Sequence, residues 1–116
     1  MASIEERLKK IEYHQRLLLR MMQGHAFPFF QLVIENGLSE EDVQDLINLC
    51  EELTRLMEEQ KQAGYVSFTP LLTHFAGMLN PKLHPTKVIV ALDEQNMYRP
   101  LMKVFLDELN KGIEGP

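Results

Sequence analysis

A chain of 116 residues, 45% hydrophobic and 25% charged, is long enough for one domain with its own core and too apolar for a disordered one. Its single cysteine, Cys50, excludes an intrachain disulfide and gives no sign of an oxidising compartment. The net charge of −5 is uneven: residues 35–59 hold nine acids against Arg55 alone, whereas the flanking segments are slightly basic. The strong field is therefore negative. That argues against nucleic acid as a partner, since phosphates are met by a basic stripe. The first residues, Met1-Ala2-Ser3-Ile4-Glu5-Glu6-Arg7, put charge where a secretion signal needs an apolar stretch. No apolar run approaches the ~20 residues of a membrane span. A cytoplasmic protein without a membrane partner is expected.

In chain order, Ser3 and Glu6 form a capping-box signature. Behind it Ile4, Leu8, Ile11, Leu18 and Met22 recur at spacings of three and four, the period of a helix. The spacing predicts a long first helix within residues 1–23, ended by Gly24 and spanning about 31 Å at 1.5 Å per residue. A short second helix is predicted from Phe29 to Glu35, with Pro28 in its first turn and Asn36-Gly37 as its stop. Ser39 caps a third, whose Glu40, Glu41 and Asp42 suit the positive end of the helix dipole. Its apolar stripe is Val43, Leu46, Ile47, Cys50, Leu53 and Met57, widened by Leu49 and Leu56, with Gly64 at its close.

Thr69-Pro70 reads as the cap and first residue of a fourth helix carrying Leu71, Leu72, Phe75 and Leu79, broken by Asn80-Pro81. His84-Pro85 opens a fifth. Its Val88-Ile89-Val90-Ala91-Leu92 run is also compatible with a strand, but Pro85 before it and Asp93-Glu94-Gln95 after it favour helix. Tyr98-Arg99-Pro100 starts a sixth, with Leu101, Met102, Phe105, Leu106 and Leu109 inward and Gly112 past its end. The expected fold is all-α: a multihelical bundle of about six helices in a single domain covering residues 1–116.

Catalytic machinery is not legible. His14, His25, His74 and His84 lack the three- or four-residue spacing of a zinc pair. Cys50 lies on an apolar stripe with Glu51 and Glu52 alongside, and acidic neighbours disfavour a nucleophilic thiolate. There is no glycine-rich phosphate loop, Gly-x-Ser-x-Gly elbow or Cys-x-x-Cys. Gly64 between two helices has the outline of a calcium-binding EF-hand. Aligning it to the sixth loop position, however, places Glu59, Lys61 and Ala63 at the first, third and fifth, and Pro70 where the bidentate glutamate belongs. Lysine, alanine and proline offer calcium no side-chain oxygen. The expectation is a non-enzyme with no metal and no cofactor.

The first helix is the more informative element. With Leu8 and Gln15 at heptad position a, Ile4, Ile11 and Leu18 fall at d, Arg7 at g and Glu12 at the following e. A parallel neighbour would set its Arg7 against that Glu12. Leucine at a with isoleucine at d favours three or four strands over two, and one polar residue in the seam, Gln15, fixes register. Ile4, Arg7, Leu8, Ile11, Glu12, Gln15 and Leu18 are thus the candidate oligomer interface, with three or more copies favoured. Beyond Arg16 the helix is apolar on nearly every side (Leu17, Leu18, Leu19, Met21, Met22), as though it served the domain body on one side and another subunit on the other.

The Glu5-Glu6-Arg7-Leu8 opening, the stretch Phe75-Ala76-Gly77-Met78-Leu79-Asn80-Pro81-Lys82-Leu83-His84-Pro85 and the stretch Ala91-Leu92-Asp93-Glu94-Gln95-Asn96-Met97-Tyr98 resemble the YhaI-like family of small Bacillus proteins of unknown function. The resemblance runs end to end. It implies a multihelical cytosolic bacterial protein and transfers no functional residue. The functional expectation is a non-enzymatic homo-oligomer acting as a protein-interaction module, with a protein partner on the acidic third helix. The alternative is a small-molecule or metal sensor whose pocket is lined by Phe27, Phe29, Phe30 and methionines and touched by His25 or His74. A DNA-associated regulator using helices four and five ranks lower, because the two prolines between Asn80 and Pro85 make a stiff, long turn.

Overall fold

The computed structural model describes residues 2–22 and 26–114, with side chains through Lys111. Six helices follow one another: α1 (Ile4–Met21), α2 (Pro28–Glu35), α3 (Glu40–Gln62), α4 (Thr69–Met78), α5 (Pro85–Glu94) and α6 (Arg99–Glu114). Among the described residues there is no strand, so the fold is all-α and the Val88–Leu92 run is helical.

Local chemistry explains most boundaries. Ser3 accepts the Glu6 amide at 3.1 Å, the serine half of the expected box. The full reciprocal box forms at Ser39 and Asp42, with bonds of 3.1 and 2.9 Å. Gly37 (φ 65°) and Gly64 (φ 89°) take the left-handed conformation that ends α2 and α3. α1 is shorter than expected, 18 residues or about 27 Å, and α3 with 23 residues is the longest element. Gln23, Gly24 and His25 lie outside the described residues, including the proposed glycine stop.

Two further expectations are corrected. Thr69 is the first residue of α4 and Phe68 its N-cap, because the Thr69 hydroxyl is drawn away to Glu108. α6 runs through Gly112 to Glu114. A glycine inside a helix costs only about 1 kcal/mol relative to alanine, so it does not compel a stop.

α5 packs on α2 and α6, and α3 packs on α4 and α6, while α1 lies on α2. One apolar cluster runs through the body, with Phe29, Val33, Leu53, Phe75, Val88, Ile89, Leu101, Met102 and Phe105 wholly enclosed. The α3 stripe turns inward as its spacing requires: Val43, Leu46, Cys50, Leu53 and Met57 are buried, with Ile47, Leu49 and Leu56 half-buried beside them.

The molecule is elongated. Its radius of gyration is 15.8 Å, against about 13 Å for a compact domain of this length. The N-terminal half of α1 stands clear of the core: residues 2–9 are exposed, and the first buried residue of α1 is Tyr13.

Candidate functional site

α1 carries two apolar faces. The inward face is Tyr13 and Leu17, buried, flanked by half-buried Lys10, His14 and Met21. His14 Nε2 lies 2.7 Å from the Leu38 carbonyl; a carbonyl only accepts, so the histidine donates from that nitrogen. Arg16 pairs with Glu40 at 3.3 Å, its guanidinium lies 5.6 Å from the Tyr13 ring centre, and Arg20 stacks 4.9 Å over Phe30. Together these contacts dock the C-terminal half of α1 on the body. Burial pushes the Tyr13 phenol upward, helped by Glu40 and opposed by Arg16 and Arg20.

The outward face lies about 160° round the helix from Tyr13 and Leu17, given 3.6 residues per turn. It holds Ile4 (72% exposed), Leu8 (52%), Ile11 (53%), Leu18 (47%) and Met22 (80%). Gln15 continues the row between Ile11 and Leu18 and is exposed, as are Arg7 and Glu12 on its flanks. All seven candidate interface residues therefore share one side of one helix, and the domain's own core covers none of them. Leu19, 66% exposed, widens the row at its C-terminal end. Of the apolar segment after Arg16, Leu17 and Met21 face the body, while Leu18, Leu19 and Met22 are left to solvent.

Scattered apolar residues on a surface need no explanation, whereas these recur along one side of one helix. The heptad spacing showed this stripe in the sequence. The docking contacts on the other face were missed. His14, Arg16 and Arg20 read as ordinary polar residues, and no spacing in the sequence groups them.

Other surfaces offer less. A shallow depression of about 360 Å³ between α2 and α5 has Leu32, Val90 and Ala91 in its floor and Glu35, Lys87 and Glu94 around it. A polar cleft of about 640 Å³ sets Lys9, Lys10 and Arg16 opposite Glu40, Glu41 and Asp42 at the start of α3. Among the described residues no three histidine, cysteine or carboxylate side chains gather to hold a metal ion. Phe29 and Phe30 belong to the core, and Phe27 stacks on Phe30 at 5.4 Å between ring centres. Phe29 and Phe30 are therefore part of the interior, and Phe27 packs half-buried against it. His74 is exposed on α4, and His25 lies outside the described residues.

Cys50 is 1% exposed, and burial, with Glu51 adding to it, pushes its thiol up to about 12. No described helix is long and apolar enough to cross a membrane. Residues 1–110 match the family described as "Protein of unknown function (DUF1878)", and the chain belongs to that family.

Proposed function

We propose that this chain is a non-enzymatic helical homo-oligomer that serves as a protein-interaction module, assembled through the outward face of α1. The observation that carries the reading is the exposed row Ile4, Leu8, Ile11, Gln15, Leu18 and Met22 on a helix whose first half projects from the body. An isolated helix of two or three turns is marginal in water, because its nucleation cost is not repaid. A second copy laid along the row covers the apolar side chains and supports the projecting turns together.

A non-catalytic role agrees with the chemistry of the reactive groups: the one thiol is enclosed and held protonated. The exposed carboxylates of α3, among them Glu41, Asp45, Glu52 and Glu58, give the assembled particle an acidic surface suited to a basic protein segment and repellent to nucleic acid. The resemblance to the YhaI-like proteins of Bacillus belongs with this reading and would place the particle in a bacterial cytosol.

The test is the mass of the intact wild-type protein by light scattering after size exclusion. A multiple of the chain mass at tens of micromolar supports the proposal, and a monomer at that concentration overturns it.

A further inference from the structure

We infer that the partner on the outward face of α1 is the α1 of further copies packed parallel and in register, in a seam of three or more strands with Gln15 as its polar layer. This rests on the assembly reading above and adds orientation, register and minimum number.

Orientation follows from two independent pairings. In any antiparallel helix pair an a residue faces a d residue of the neighbour. Every d residue here is apolar (Ile4, Ile11 and Leu18), so the Gln15 amide would be buried against hydrocarbon with its hydrogen bonds unmade, and such burial is unfavourable. In a parallel seam Gln15 meets Gln15 in one layer, and each amide both donates and accepts.

The flanks agree. The antiparallel register that overlaps the most helix sets Leu8 against Leu18 and Ile4 against Met22, and brings Glu12 beside the Glu12 of its neighbour. The parallel register sets Arg7 of one copy beside Glu12 of the next, an opposite-charge pair.

The number of strands follows from side-chain shape and from where the bodies sit. Leu8 at a with Ile4 and Ile11 at d favours three or four strands, and the additional exposed Leu19 at an e position is covered better in a wider bundle than in a pair. The docking face at Tyr13 and Leu17 points about 160° away from the seam. The bodies therefore stand outside the bundle, around its C-terminal half, without obstructing the axis.

The experiment is oxidative cross-linking of Leu8→Cys. Leu8 is 52% exposed on the projecting half of α1, so the substitution leaves the body intact, and Cys50 is enclosed and adds no background. The expected result is a disulfide-linked pair from Leu8→Cys alone, with a native mass of three or four chains for the wild type and for the reduced variant. Gln15→Leu should raise the melting temperature of the assembly and spread its mass over more than one oligomer.

An oligomer in which Leu8→Cys fails to cross-link, or in which only an equimolar mixture with Leu18→Cys does, overturns the parallel seam and leaves self-association standing. A cross-linking two-chain particle overturns the number of strands. A wild-type monomer removes this inference and the proposed function together.

Discussion

The carboxylate of Glu108 accepts the Thr69 hydroxyl at 2.8 Å, joining α6 to the first turn of α4 across 39 positions of sequence. Its other oxygen accepts the Phe68 amide at 3.1 Å, and Lys111 approaches at 3.4 Å. α4 starts with an N-cap, Phe68, whose side chain cannot accept a hydrogen bond. The carboxylate on α6 supplies the other half of a capping box from a distance, accepting the N-cap residue's own amide, and its charge also suits the positive end of the α4 dipole.

The Phe68 amide, the Thr69 hydroxyl and Lys111 hold the Glu108 carboxyl below the ordinary carboxylate range, outweighing the burial that opposes them. Its folded value is thus below its unfolded one. The associated stability is present above the unfolded value and disappears as the pH falls through the folded one. Glu108→Gln should cost about 1–3 kcal/mol at neutral pH, since hydrogen bonds to a charged group are replaced by weaker ones. Melting temperatures of both proteins from pH 7 to pH 3 check this: the gap should stay constant down to about pH 5 and narrow below it. A gap that is unchanged at pH 3 assigns the loss to packing alone.

Gln95 caps α2 directly, by accepting amides of its first turn. Its Oε1 accepts the amides of Phe29 at 2.9 Å and Phe30 at 3.3 Å, and the N-cap of α2, Phe27, supplies no side-chain cap. Gln95→Ala should lower stability by about 1 kcal/mol, the ordinary loss of a cap. Gln95→Glu should match or exceed the wild type at neutral pH, because a carboxylate interacts favourably with a helix N-terminus. Chemical denaturation midpoints decide, and an equal loss in both variants would show that the amide's own donor group matters.

Those two caps mark where the sequence stops being readable. Ser3 and Ser39 cap their own helices within three residues, Gly37 and Gly64 end theirs by backbone freedom, and all four follow from local physics. Pro28 and Pro70 show where α2 and α4 begin, but the acceptors that satisfy those beginnings lie 65 or 66 residues away for α2 and 39 or 40 for α4. No local rule predicts such partners. Thr69 has the residue type of a cap, but its hydroxyl donates to Glu108 and it becomes the first residue of α4. On α1 the heptad spacing revealed the outward row, whereas the inward contacts of His14 with Leu38 and Arg20 with Phe30 depend on elements that meet only after folding.

Cys50 should be silent toward thiol reagents in the native state. With the thiol pushed up to about 12 by burial and Glu51, only about one molecule in ten thousand carries a thiolate at pH 8, and the sulfur is enclosed by the α3 stripe. Colorimetric titration should show negligible reaction over minutes in buffer and one equivalent per chain in denaturant. Rapid stoichiometric reaction of the folded protein would mean that α3 opens locally.

The two faces of α1 should respond in opposite ways to the same chemical change. Ile11 is 53% exposed and Leu17 only 4%, although they sit six residues apart on one helix. Ile11→Asp leaves the body's core untouched but puts an unpaired carboxylate into the seam on every copy, at a cost of several kcal/mol. The expected result is a monomer that keeps the helical dichroism of the body and loses at most that of the projecting turns of α1, with a melting temperature equal to that of wild type at dissociating dilution. Leu17→Asp buries the carboxylate against the body instead and should release α1 from its docking site, lowering the melting temperature at every concentration. Arg7→Glu should weaken assembly more mildly by facing Glu12 of the neighbour with a like charge, most visibly at low salt. Combining it with Glu12→Arg should restore the wild-type mass, since the pair is reversed and not lost. Size exclusion with light scattering, read beside thermal melts, separates the cases. If Ile11→Asp keeps the wild-type mass, the outward row is not where copies meet. If it lowers the dilute melting temperature as much as Leu17→Asp, the row belongs to the domain's own stability.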